Sequence, residues 1–84
     1  MTAFQHACIF GPPKIVEMLV QKSAEFNINL NAKNAHGSTG FHLACYWGRK
    51  NVVEMMIDYA EFYKIDLTSK DLDGKTGFQL AKGQ

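Results

Sequence analysis

The side chains of this chain with reactive potential are His6, His36, His42, Cys8 and Cys45. Imidazole and thiolate are the usual zinc ligands, but structural zinc sites draw on closely spaced pairs such as Cys-x-x-Cys or His-x-x-x-His. Neither spacing occurs here, so a metal centre is not expected. A Cys-His nucleophile would need a thiolate held beside an imidazole, whereas His6 and Cys8 are two positions apart on a helix and point away from each other. Gly37 and Gly74 are isolated turn glycines, not parts of a phosphate-cradling cluster. No cofactor is implied, and nothing in the residue pattern supports an enzyme. Met18, Met55 and Met56 have the adaptability of a peptide groove but read first as core filler. Lys14, Lys22, Arg49 and Lys50, interspersed with Glu17 and Glu54, read as a solvated helix face.

The elements that position these residues follow from a repeat. Thr39-Gly40-Phe41-His42-Leu43-Ala44-Cys45 falls on Thr2-Ala3-Phe4-Gln5-His6-Ala7-Cys8 at an offset of 37 residues, and Thr76-Gly77-Phe78-Gln79-Leu80-Ala81 falls on the second copy. Gly11 meets Gly48, Val16-Glu17-Met18 meets Val53-Glu54-Met55, Ile28 meets Ile65, Leu30 meets Leu67, and His36-Gly37 meets Asp73-Gly74. Within each copy the apolar spacing predicts two helices. The first pair covers Thr2 to about Phe10, ended by Gly11, and a second helix entered through Pro12-Pro13 that reaches Ala24 or Glu25. Ile15, Val16, Met18, Leu19 and Val20 supply its buried face. The next pair runs roughly from residue 40 to 47 and from 50 to 61, with Val52, Val53, Met56, Ile57 and Ala60 facing inward. Between pairs, the segment from Asn27 to Ser38 reads as extended chain ending in a turn at Asn34–Gly37, repeated at Asp71–Gly74.

The Thr-x-x-x-x-Ala opening, the glycine that follows it and the Val-Val-Glu-Met-Met-Ile run resemble the ankyrin repeat, whose signature opens Thr-Pro-Leu-His. The closest match is Thr39 to Ala44, although no proline follows Thr2, Thr39 or Thr76. The resemblance spans essentially the whole chain and implies an all-α solenoid of helix-turn-helix repeats with β-turn tips. It would form a single domain, 1–84, comprising a partial repeat 1–33, a full repeat 34–70 and a truncated repeat 71–84. The family's commonest period is 33, so each copy carries about one additional helical turn, assigned to Lys22–Phe26 and Tyr59–Tyr63. With the turn before Thr2 missing and the third copy barely begun at Lys82-Gly83-Gln84, the chain reads as part of a longer array.

Composition bounds the remaining possibilities. The hydrophobic content of 46% with 20% charged residues is that of a globular domain, and no run approaches membrane-spanning length. A net charge of +1 offers no footprint for phosphate backbones, so nucleic acid is not an expected partner. No secretory leader is evident, which favours cytoplasm or nucleus. Cys8 and Cys45 occupy equivalent positions on neighbouring helices, too far apart for a bridge, and are expected to be buried thiols.

The resemblance implies a non-catalytic protein-binding role, with partners meeting the turn tips and first helices. Carried over position by position, the surface comprises Ile9 and Phe10; Ala35, His36, Ser38, Tyr46 and Trp47; and Leu72, Asp73 and Lys75. Trp47 is the leading anchor; its alternative is to pack over a neighbouring repeat. His42 stands at the family's histidine, where hydrogen bonds to turn backbone hold adjacent tips together. His6 takes a position that is leucine in the other copies and is wet, buried and bonded, or a ligand. Asn31 resembles asparagines of this family that are hydroxylated, or bonds within its turn. An alternative role is end-to-end stacking into a homo-oligomer through Phe4 and Ile15 at one end and Phe78 and Leu80 at the other, which lack neighbouring repeats.

Overall fold

A computed structural model describes residues 1–82; Gly83 and Gln84 lie outside the described residues. Five helices follow one another: α1 (Ala3–Phe10), α2 (Pro13–Gln21), α3 (Gly40–Tyr46), α4 (Lys50–Tyr63) and α5 (Gly77–Lys82). No strand occurs among the described residues, so the all-α expectation holds. α1, α3 and α5 pack side by side as one layer, and α2 against α4 forms the second.

Each first helix starts for the same local reason. Thr2 Oγ1 accepts from the Gln5 backbone N–H at 3.1 Å, while Gln5 Oε1 accepts from the Thr2 N–H at 2.9 Å. This reciprocal capping satisfies two donors that a helix start leaves orphaned. Thr39 and His42 repeat the arrangement, with the imidazole in place of the carboxamide. Thr76 and Gln79 repeat it again.

The ends of α1 differ from expectation. Gly11 does not adopt the left-handed geometry of a glycine cap; its φ is −80° because the Pro12 ring excludes further helix and favours extended backbone before it. The terminal carbonyls of α1 are capped from the next copy. The Arg49 guanidinium donates to the Cys8 carbonyl at 3.2 Å and to those of Ile9 and Gly11. Arg49 is therefore no member of a solvated face. A cation on the negative end of a helix is favourable in its own right.

The second helices are shorter and longer than their periodicity implies. α2 stops at Gln21, and Lys22 to Asn27 continue as hydrogen-bonded turns. Ser23 donates its N–H back three residues to Val20, tightening the chain where a short polar side chain favours turn over helix. α4 takes up the same additional residues as helix and runs to Tyr63. Both copies close alike: Ile28 N–H reaches the Ser23 carbonyl and Ile65 N–H that of Ala60, after Asn27 and Lys64, which both have φ +58°.

The core comprises Phe4, Ala7, Cys8, Val16, Val20, Leu30, Phe41, Ala44, Cys45, Val52, Met56 and Ile65. Both cysteines are free and buried. The apolar stripes of α2 and α4 are narrower than their sequence implies: Ile15, Met18 and Ile57 are exposed, because each helix meets only one layer and its partner in the next copy. Met18 therefore fills no core, whereas Met56 is fully buried. Phe4, expected to lie open at the amino-terminal end, is only 3% exposed because α3 covers it. A polar clip also crosses α2 and α4. Tyr59 Oη donates to Glu17 Oε2 at 2.8 Å and accepts from Gln21 Nε2 at 3.3 Å, and the Glu17 carboxylate pushes the phenol above its ordinary pKa.

Candidate functional site

Two turn tips form one wall of the most featured surface. In the first, Asn34 Oδ1 accepts from the His36 and Ser38 backbone N–H groups at 2.9 and 3.0 Å, and the Asn34 N–H donates to the Ser38 carbonyl. Gly37 turns the chain at φ +74°, where a side chain would be strained. The second tip copies it through Asp71, whose Oδ1 accepts from Asp73 and Lys75 N–H, both at 2.9 Å. These N–H groups, Lys75's first, hold the Asp71 carboxyl below the usual carboxylate range against a smaller opposing effect of desolvation. The Leu72 N–H donates to the His36 carbonyl at 3.1 Å and locks tip to tip.

His42 ties these tips to the first helices. It is 1% exposed, its Nδ1 accepts from the Thr39 N–H at 3.1 Å, and its Nε2 lies 2.9 Å from the Lys75 carbonyl. An acceptor is needed at Nδ1 and a donor at Nε2, which assigns the neutral tautomer protonated on Nε2. Gln5 makes the same cap one copy earlier, but its Nε2 donates to the Ala32 carbonyl at 2.8 Å, six residues before the counterpart of Lys75. Asn31 works similarly on the far side of the repeat. Its Nδ2 donates to the Lys64 carbonyl and its Oδ1 accepts from the Asp66 N–H, so the side chain bridges two copies, and only its backbone N–H bonds locally, to Asn29 Oδ1.

Between tips and helices lies a groove of about 420 Å³. It brings together five of the ten positions expected from sequence: His36, Ser38, Tyr46, Trp47 and Asp73. Ser38 contributes from a buried position, since its N–H and carbonyl are engaged by Asn34. Tyr46 and Trp47 are 49% and 57% exposed and meet edge to face at 5.3 Å, so Trp47 packs on its neighbour while leaving most of its surface open. Ala35, Leu72 and Lys75 are exposed on the tips beside the groove without lining it, Leu72 at 78%. Ile9 and Phe10 are not part of it. Ile9 is half-buried, and Phe10 is exposed and stacks on the exposed His6 at 4.9 Å, which answers the three readings of His6 in favour of a wet one.

The floor was missed from sequence. Leu43 and Leu80 line the groove, together with Asn34, His42 and Asp71. The repeat marked their shared position only as leucine, with Leu80 at an open repeat end, and the missing signal was the partial burial of both. A larger groove of about 560 Å³ lies on the opposite edge, bordered by Asn31, Phe62, Tyr63 and Lys64, with Phe62 79% exposed. Burial pushes the Cys8 thiol up to about 12, opposed by the Arg49 charge, and the Cys45 thiol to about 11. Both are poor nucleophiles in this state. Among the described residues no three His, Cys, Asp or Glu side chains converge on a metal-sized site, and no helix is long and apolar enough to cross a membrane.

Compared with curated protein sequences, the chain finds no match. The family model for ankyrin repeats matches residues 1–81 as three copies. Three copies in a helical two-layer stack, capped by Thr and tied by His42 to the second tip, agree with that match, and the chain belongs to the ankyrin repeat family.

Proposed function

We propose that this chain is a non-catalytic protein-binding module and that the groove between the turn tips and α3 is its binding surface. Ankyrin repeats are in general protein–protein interaction modules, and the observation that carries the reading here is the exposed Tyr46–Trp47 pair facing Asp73 and Asp71 across the groove. Large aromatic side chains left half open on a rigid frame dominate binding energies, because they bury much area while losing few rotors. The tips need no ordering on binding, since their backbone is already held by Asn34, Asp71 and His42.

The chemistry of the walls selects the partner. Apolar Trp47, Leu43 and Leu80 accept an aliphatic or aromatic anchor, and the Asp71 and Asp73 carboxylates favour a flanking Lys or Arg. A protein segment with an exposed apolar residue beside a basic one fits both. The free, buried thiols suit work in a reducing compartment, cytoplasm or nucleus.

The test selects binders to the full chain from a displayed library of short protein segments, then measures affinity for substituted chains. Trp47→Ala and Asp73→Lys should each weaken binding roughly tenfold or more, while Phe62→Ser on the opposite edge leaves it unchanged. Binders that ignore the first two and depend on Phe62 would place the surface elsewhere.

A further inference from the structure

Phe78 repeats a residue whose surroundings the structure shows twice. Phe4 of the first copy and Phe41 of the second are 3% and 1% exposed, each covered by the opening of the following helix. The covering residue is glycine both times. A Cβ added to Gly40 would lie 2.8 Å from Phe4 Cε2 and 2.9 Å from Cys8 Sγ. A Cβ on Gly77 would lie 2.6 and 2.7 Å from Phe41 Cδ2 and Cε2. These separations fall well inside the roughly 3.5–4.0 Å at which carbon atoms rest against each other. Neither glycine has a positive φ, so their role is to leave space and not to permit an unusual backbone. The family signature places proline and leucine where this chain has Gly40 and Phe41. The larger ring in one copy and the missing side chain in the next are thus two halves of one fit.

Phe78 presents the ring half of that fit. It meets Phe41 edge on at 5.2 Å on one side and is 48% exposed on the other. Gln79 presents a second half-made contact. Its Oε1 already accepts from the Thr76 N–H, as Gln5 Oε1 does from Thr2. His42 Nε2 goes on to the Lys75 carbonyl of the following copy and Gln5 Nε2 to the Ala32 carbonyl beyond α2, whereas Gln79 Nε2 makes no such bond among the described residues.

We propose that the α5 face bearing Phe78 and Gln79 is a docking surface for a helical repeat that opens with Thr-Gly, and that the ring of Phe78 selects glycine at that opening against any residue with a side chain. The surface continues two interfaces already formed in the molecule, α1 with α3 and α3 with α5, and requires the same occupant as they do. The selection also excludes a second copy of this chain seated by its own α1. That helix opens with Ala3, the counterpart of Gly40 and Gly77, and its methyl carbon would fall on the Phe78 ring as an added Cβ falls on Phe41. An opening proline would meet the same obstruction. The inference stands independently of the groove at Trp47.

The 37-residue register supplies the experiment. Residue 84 corresponds to residue 47, so appending a second copy of residues 48–84 after Gln84 completes the third copy and brings a duplicate of Gly77 over Phe78. Urea unfolding by circular dichroism and hydrogen exchange at the Phe78 and Gln79 amides compare the original chain, the extended chain, and extended chains carrying alanine or proline in place of the duplicated glycine. The extended chain should unfold at a higher urea concentration and slow exchange at both amides at least tenfold. Alanine or proline should abolish both gains, and Phe78→Leu combined with the alanine should recover most of them. An alanine or proline variant that keeps the full gain overturns the selection, and an extended chain with no gain overturns the docking surface. Sedimentation equilibrium of the original chain adds the other occupant. It should remain monomeric, and an association that Phe78→Glu abolishes would show a second copy seated there despite Ala3, which also overturns the proposal.

Discussion

Replacing His42 tests whether the tips are held by specific hydrogen bonds or by general packing. In His42→Ala the Thr39 N–H loses its acceptor and the Lys75 carbonyl its donor, both at a site where the imidazole is 1% exposed. Two neutral hydrogen bonds contribute about 1 kcal/mol each, and the stranded, buried Thr39 N–H adds a further ~1 kcal/mol or more. A total near 3 kcal/mol is a large part of the roughly 4–12 kcal/mol available to a chain of this length. With a urea dependence of about 1 kcal/mol per M, the midpoint should fall by about 3 M. His42→Gln is the decisive comparison, because in the first copy the Gln5 carboxamide makes the same cap, at 2.9 Å to the Thr2 N–H, and still reaches a second backbone carbonyl, Ala32, at 2.8 Å. Its midpoint should stay within about 1 M of the original. His42→Leu fills most of the volume and makes neither bond, so it should resemble alanine. If the original chain unfolds too early to measure the losses, the series is repeated in trimethylamine oxide, which raises all midpoints. Equal damage from Gln and Ala, or none from Leu, would refute the hydrogen-bond account.

Other expectations concern single features. Arg49→Met keeps an unbranched apolar stem but removes the guanidinium from the α1 carbonyls, and should cost about 2 kcal/mol by urea unfolding, whereas a change under ~0.5 kcal/mol would mean water caps α1 equally well. Lys64 sits at φ +58°, so Lys64→Gly should stabilise the chain by about 0.5–1 kcal/mol in the same assay; destabilisation would count against backbone strain there. A thiol-specific reagent should label Cys8 and Cys45 only as fast as the chain unfolds. Because both thiols are raised from 9.0, to about 12 and about 11, their contribution is intact below pH 9 and fades as pH climbs towards those values, so the urea midpoint should decline across that window and not below it. Trp47→Ala should change stability by no more than about 0.5 kcal/mol, given its exposure, while weakening selected binders; a large loss of stability would show that the indole serves packing first.

What the sequence determined is what depends on neighbours along the chain. The Thr caps and the paired turns at Asn34 and Asp71, each repeated at the period of 37, rest on contacts whose partners recur at fixed short spacing. A capping box or an Asx turn closes within four residues, so residue type and order specify it. The tertiary structure decided what depends on how copies stack. That Ile15, Met18 and Ile57 would be left outside followed from which neighbours α2 and α4 meet, which helical periodicity does not contain. Arg49 became the cap of α1 because stacking brought its guanidinium across some forty residues of chain to carbonyls without partners. The separation of Ile9 and Phe10 from the groove, and the floor formed by Leu43 and Leu80, came from the same assembly. Gly40 and Gly77 show the division within one residue: the sequence marked them as repeating, and only the ring of the preceding phenylalanine, placed against them by packing, showed that glycine is there for the room it leaves.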